Sequence, residues 1–231
     1  MNIEVITQPT AEPVTAAEAF FHLKLTTSPS ANVSAEPQLA EVQRCITSSR
    51  IQCEQITRRA FVKQTLRMTM GPMRSGQRRG LEWYMNGGAD TWQSVELLRP
   101  PFISMVQVRY YDEDNVIQTV AYDEEEPPVP YYVSSGLVPK LCFTDAFTHP
   151  AVYLRDDAIQ IDYMAGYPFI AADPLEDPPI VEDLTANVPA SIKQAILLGV
   201  QLEFDKLTPA EREAIEKARD SKLRGFIINT F

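Results

Sequence analysis

The sequence predicts an α+β protein: a helical bundle built from the N- and C-terminal helices, with an antiparallel β-rich domain inserted between them. Three observations carry this reading. Helical patterns with capping signals lie towards both ends of the chain, before residue 60 and after residue 188. The stretch between them, 61–165, changes to a period of two broken by turn clusters. Acidic, Pro-rich breaks at 123–130 and 168–188 interrupt both patterns. The expected divisions are a discontinuous bundle from 14–60 and 189–225, an inserted β domain at 61–167, a connector at 168–188 and an apolar C-terminal tail at 226–231.

Residues 1–13 read as an extended lead-in. "VTAAEAFFHLKL" then opens a helix, with Thr15 as N-cap and Glu18 at the third helical position, the two halves of a capping box. Residues 26–37, "TTSPSANVSAEP", form a polar linker. From Glu36 to about Arg58, Leu39, Val42, Ile46, Ser49, Cys53 and Ile56 recur at spacings of three and four, which gives one narrow apolar stripe.

"FVKQTLRMTM" reads as a strand, "GPMRSGQRRG" as a basic loop, and Asn86-Gly87 as a hairpin turn. Pro100 and Pro101 cannot donate to a sheet ladder, so "LLRPP" marks a corner, and Arg99, preceding a proline, is expected in extended geometry. Alternation from Ile103 to Tyr110, with one slip near Val106, predicts a strand with a bulge. "DEDN" is a turn, and Val116–Ala121 returns as a second strand. "YYVSSGLVPKLCF" predicts a hairpin around Ser135-Gly136, and "AVYLRDDAIQIDYMAGY" a strand, a turn at 155–157 and a final strand.

"ASIKQAILLGVQLEF" is apolar on most faces and predicts a buried helix that starts near Asn187 or Pro189. "TPAEREAIEKARDSKLRG" is a capped helix, with Thr208 as N-cap, Pro209 at the first position, Glu211 completing the box and Gly225 near the end. The tail "FIINTF" puts Phe226, Ile227, Ile228 and Phe231 on an otherwise polar terminus, which either docks on a partner or folds back on its own bundle.

With 231 residues, roughly 70% of the unfolded surface can be buried, so no disulfide staple is needed. Cys45 and Cys53 fall on one helix, about 12 Å apart and too far to bridge, so the three cysteines are expected as reduced, buried thiols, which suits a cytosolic product. A net charge of −10 argues against a general duplex-DNA binder, while like charge lets DNA pass without sticking. No stretch reaches transmembrane length, and "MNIEVITQP" lacks a signal-peptide pattern, so no membrane association is expected.

Catalytic and metal constellations are lacking in the sequence pattern. His22 lies among apolar residues and His149 precedes a proline, 127 positions away, and no cysteine pair has zinc spacing. "DEDNVIQTVAYD" has Ile117 where a calcium loop needs glycine and Asp123 where it needs glutamate. No Gly-rich phosphate loop or nucleophile elbow occurs, so the expectation is a non-enzyme with no cofactor and no metal. Arg74, Arg78 and Arg79, between glycines, form a basic loop that is either a solvated tip or a contact for DNA or an acidic partner.

Five stretches in order resemble one family. They are "PVTAAEAFFHLKL", "AEVQRCITSSRIQCEQITRRAFVKQTLRMTM", "LLRPPFISMVQVRYYDEDN", "IQIDYMAGY" and "VPASIKQAILLGVQLEFD". Together they resemble the head–tail connector (adaptor) proteins of tailed phages, in the long form with a β insertion that is also found in gene transfer agents. The connector 168–188 is longer than the family pattern, and the helix 209–224 matches it least. The resemblance implies a structural virion protein at the head–tail interface, or neck, and a homo-oligomeric ring, usually of twelve copies, below the portal protein. Such a ring extends the DNA channel without sequence-specific binding and docks a stopper or tail-completion protein. In relatives the C-terminal segment tends to engage the portal, which makes Phe226, Ile227, Ile228 and Phe231 the portal-binding candidates. The alternative is a nucleic-acid-binding packaging component, small terminase-like, that works through the arginine loop.

Overall fold

The computed structural model describes residues 1–71, 94–125, 127–147, 150–173, 175–176, 180 and 182–228. The fold is α+β, with four helices and two antiparallel sheets among the described residues. The described chain forms two compact units, one from 1–8 and 64–166, the other from 9–63 and 167–228.

The second unit holds α1 (Ala16–His22), α2 (Leu39–Thr57), α3 (Ala190–Phe204) and α4 (Pro209–Leu223). Both expected capping boxes form. Glu18 N–H donates to Thr15 Oγ1 at 3.2 Å while Thr15 N–H donates to Glu18 Oε2 at 2.8 Å. Thr208 and Glu211 repeat the exchange at 3.4 and 2.9 Å, with Pro209 in the first turn. α1 spans only seven residues, shorter than its apolar pattern, and the chain turns away at Lys24, whose φ is +59°. α2 ends on Arg58 at φ +56°, a left-handed cap of the kind usually given to glycine.

α3 is buried along Ile192, Ala195, Ile196, Gly199 and Val200, as its apolar composition requires. It approaches α2 closely because position 199 has no side chain. A Cβ there would lie 2.5 Å from Ser49 Oγ and 3.0 Å from Ser49 Cβ. Of the predicted α2 stripe, Val42, Ile46, Ser49 and Cys53 are buried. α2 also buries two charges that the stripe left out, Arg50 and Glu54, each 3% exposed. Arg50 donates to Glu12 Oε2 at 2.8 Å and to Glu54 Oε2 at 3.0 Å, and Glu54 Oε1 accepts the Phe61 N–H at 2.8 Å. The network ties the segment entering α1 and the segment leaving α2 to one side of α2, and its charges and hydrogen bonds are mutually satisfied.

The first unit contains β1 (Asn2–Thr7), β2 (Gln64–Met70), β3 (Ser94–Glu96), β4 (Phe102–Tyr111), β5 (Ile117–Thr119), β6 (Tyr131–Ser134), β7 (Lys140–Phe143) and β8 (Ile159–Ala165). One sheet has the order β1-β2-β8-β4-β5, the other β3-β7-β6, and every pairing is antiparallel. Register aligns Met68 with Ile161 and Ile161 with Val108, and all three are buried. The expected slip in β4 is present as register shifts at Phe102/Ser104 and Met105/Gln107, and Val106 is left exposed.

Three local expectations are corrected. The lead-in is partly β1, whose alternation of half-buried Ile3 and Val5 with exposed Asn2 and Glu4 suits an edge strand. Ala151–Tyr153 is not a strand; Ile159–Ala165 alone fills the slot between β2 and β4. Arg99 sits at φ +53° rather than extended, because the chain turns there to leave β3 in one sheet and enter β4 in the other. The Tyr163 hydroxyl, on the central strand β8, donates to the Leu98 carbonyl of that same corner. The expected turn at Asn86-Gly87 lies outside the described residues.

Candidate interaction surfaces

The C-terminal segment follows α4 through one 3₁₀ turn, Arg224–Phe226. The three described candidate residues, Phe226, Ile227 and Ile228, differ in their surroundings. Ile228 is 5% exposed, and its N–H donates to the Thr57 carbonyl at 3.1 Å. Phe226 packs on the core of α3 and α4, and its carbonyl accepts from Arg59 Nε at 2.7 Å. Ile227, between them, points outward at 38% exposure. Of the two expectations for the tail, Phe226 and Ile228 follow the one in which it folds back. Phe231 lies outside the described residues, as do Arg74, Arg78 and Arg79.

The face of the five-stranded sheet opposite the apolar register carries a polar cluster that the sequence did not reveal. Asp162, 2% exposed, accepts from Arg67 Nε at 2.8 Å and Nη2 at 2.9 Å, from Gln107 Nε2 at 2.8 Å and from Arg109 Nη2 at 3.3 Å. Arg109 also donates to Gln160 Oε1 at 2.9 Å, and Glu4 lies 3.9 Å from Arg67. The cluster therefore crosses β1, β2, β8 and β4. Burial pushes the Asp162 carboxyl up, but the hydrogen bonds from Arg67 and Gln107 and the charges of Arg67 and Arg109 outweigh it, holding the group below the ordinary range. Almost fully buried, hydrogen-bonded through both oxygens and held in its charged form, this carboxylate is a poor base for a substrate proton, and the cluster clasps strands together. One signal was present in the sequence: β8 reads Ile-Gln-Ile-Asp-Tyr, with polar residues on alternate positions of a central strand.

The remaining candidates for chemistry are inert or isolated. Among the described residues, no group of three or more His, Cys, Asp or Glu is placed to hold a metal ion. Burial pushes the Cys53 thiol up to about 12 and raises Cys45 as well, so both stay protonated at neutral pH. Cys142 departs from the expectation of three buried thiols, being only partly buried at a β7 position facing Tyr132. Burial lowers the His22 imidazole, which ends α1 with Gln201 and Asp205 as its neighbours. No described helix is long and apolar enough to cross a membrane.

No family model and no curated protein matches the chain. Solved structures do match over its whole length. A chain from the neck of an empty gene transfer agent particle, computed with C6 symmetry, has a TM-score of 0.63 at 14% identity, covering 100% of this chain and 98% of that one. This chain shares its fold. A chain from the virion of a native gene transfer agent particle gives 0.62 at 16% identity, with the same coverage. A chain from the neck of the native particle, computed with C12 symmetry, gives 0.55 at 13% identity, again covering 100% and 98%.

Proposed function

We propose that this protein is a structural head–tail connector of a tailed phage or phage-like particle, located in the neck of the virion. The observation that supports this most is the likeness to particle-neck chains over 100% of its length, α and β units together. The five motif stretches of the sequence support the same family independently. In this reading twelve copies form a ring below the portal protein, extend the DNA channel and present a surface to a stopper or tail-completion protein. The C12 and C6 symmetry of the neck structures that share the fold agrees with a closed ring.

The chain's net charge of −10 suits a channel through which DNA slides, since a basic lining would hold phosphates. Portal attachment falls to the C-terminal segment, with Phe231 and the outward Ile227 as contact residues and Phe226 and Ile228 as the packed residues that position Ile227. Arg74, Arg78 and Arg79 contact an acidic neighbour or passing DNA.

Sedimentation of the purified chain with isolated portal rings of the same particle tests the reading. Co-sedimentation near one chain per portal subunit is expected. Ile227→Asp should reduce it at least tenfold without changing the melting temperature. A folded chain that never co-sediments with portal contradicts the proposal.

A further inference from the structure

Described residues of the connector between β8 and α3 pair with one another across two bridges. Ile170 and Asp183 exchange backbone hydrogen bonds at 3.0 and 2.9 Å, and Asp173 and Ile180 do the same at 3.0 and 2.9 Å, so the segment doubles back as a two-rung ribbon. Side chains fix its bends: Asp173 Oδ1 accepts from Leu175 N–H at 3.0 Å, Asp183 Oδ1 from Thr185 N–H at 2.8 Å, and Asn187 Nδ2 donates to the Pro168 carbonyl at 3.0 Å. Three apolar side chains of the segment are nevertheless held out. Ile170 is 43% exposed, Ile180 41% and Leu175 93%. Around them the segment 168–188 carries Asp173, Glu176, Asp177, Glu182 and Asp183 and not one Lys or Arg. A leucine held in water beside two backbone bridges suits an anchor for an apolar hollow.

The same unit carries a receiving surface. An open depression beside α1 is lined by Phe21, His22, Lys24, Pro29 and Leu197, with Glu18 at its edge. Phe21 is 47% exposed, and Leu25, just beyond, 45%. The Glu18 carboxylate is turned back onto Thr15, while Lys24 makes no ion pair among the described residues. His22 lines the depression, but its Nε2 is buried, with no hydrogen-bond partner among the described residues.

We propose that Leu175 of one subunit seats in the α1 depression of the next copy, with Glu176 against Lys24. The inference rests on the ring reading. A ring closed by rotation needs two unlike, complementary patches on each subunit, and an acidic apolar projection and an apolar hollow bearing a lysine are such a pair.

The test uses assembled particles carrying the full chain in a Cys142→Ser background, with Phe21→Cys and Leu175→Cys together or singly. A short bis-maleimide should turn the double variant into a ladder of covalent oligomers on a denaturing gel and leave each single variant monomeric. Lys24→Glu should cut incorporation into particles at least tenfold, and adding Glu176→Lys to the same chain should restore it. Rings seen in micrographs without a 21–175 cross-link, or with Lys24→Glu incorporated normally, overturn the Leu175 contact while the connector reading stands. Particles in which the unmodified chain forms no ring overturn both.

Discussion

Asp162 takes four hydrogen bonds from three side chains while almost none of it meets water, so its proton affinity bears directly on stability. Its folded pKa is depressed, so its contribution is fully present above the unfolded value of about 3.9 and is lost as pH falls through the folded value. Acid unfolding of the wild type should therefore steepen below about pH 4, and Asp162→Asn should flatten that limb. At neutral pH the same variant should cost about 2–3 kcal/mol, less than the 3–5 of a fully buried pair because both arginines reach solvent. Urea melts across pH 2.5–7 check both; parallel acid limbs would show that Asp162 is not the titrating group. Thiols make a second residue-scale prediction. Native protein should react with a thiol reagent at Cys142 only, and at all three cysteines once unfolded, because burial keeps Cys45 and Cys53 protonated. Reaction of all three in the folded state would contradict the packing of α2.

Elements were legible where their determinants are local. Thr15 with Glu18, and Thr208 with Glu211, lie three residues apart, and their boxes form as read. The slip in β4 was visible because alternation fails within a few residues of itself. What was not legible depends on partners far along the chain. β1 pairs with a strand about sixty residues away, so a short alternating run at the terminus read as lead-in. Arg50 and Glu54 are charged, and a stripe built on apolar periodicity passes over them; only the fold brings Glu12 and the Phe61 N–H to meet them. The alternating fates of Phe226, Ile227 and Ile228 depend on Arg59 and Thr57, which the tail's own composition does not contain.

Two predictions belong at the scale of the element. Gly199→Ala must push α3 away from Ser49 and should cost about 1–3 kcal/mol, with Ser49→Gly relieving part of it in the double variant. Truncation after Gly225 removes buried Ile228 and the packing of Phe226, about 1.5–3 kcal/mol for Ile228 alone, or a loss of at least 3 °C at about 2–4 °C per kcal/mol. Calorimetry on each variant reads these shifts; an unchanged melting temperature for the truncation would place the whole tail outside the fold.

For the molecule as a whole, the change of period from helical to alternating and back made the α+β class legible, because it needs no knowledge of which strand pairs with which. Sheet order was not legible: β8, late in the chain, becomes the middle strand of the five. The proposed function reached the sequence only through family-like motifs, since a ring subunit, as proposed, needs complementary surfaces and no constellation of reactive side chains. Cryo-electron microscopy of particles whose copy of this chain carries a small fused tag tests the central claim most directly. The account predicts twelve tagged densities in a single ring immediately below the portal, around the DNA path. Tag density on the capsid faces, along the tail or on the packaging motor, with the ring below the portal unlabelled, would contradict it.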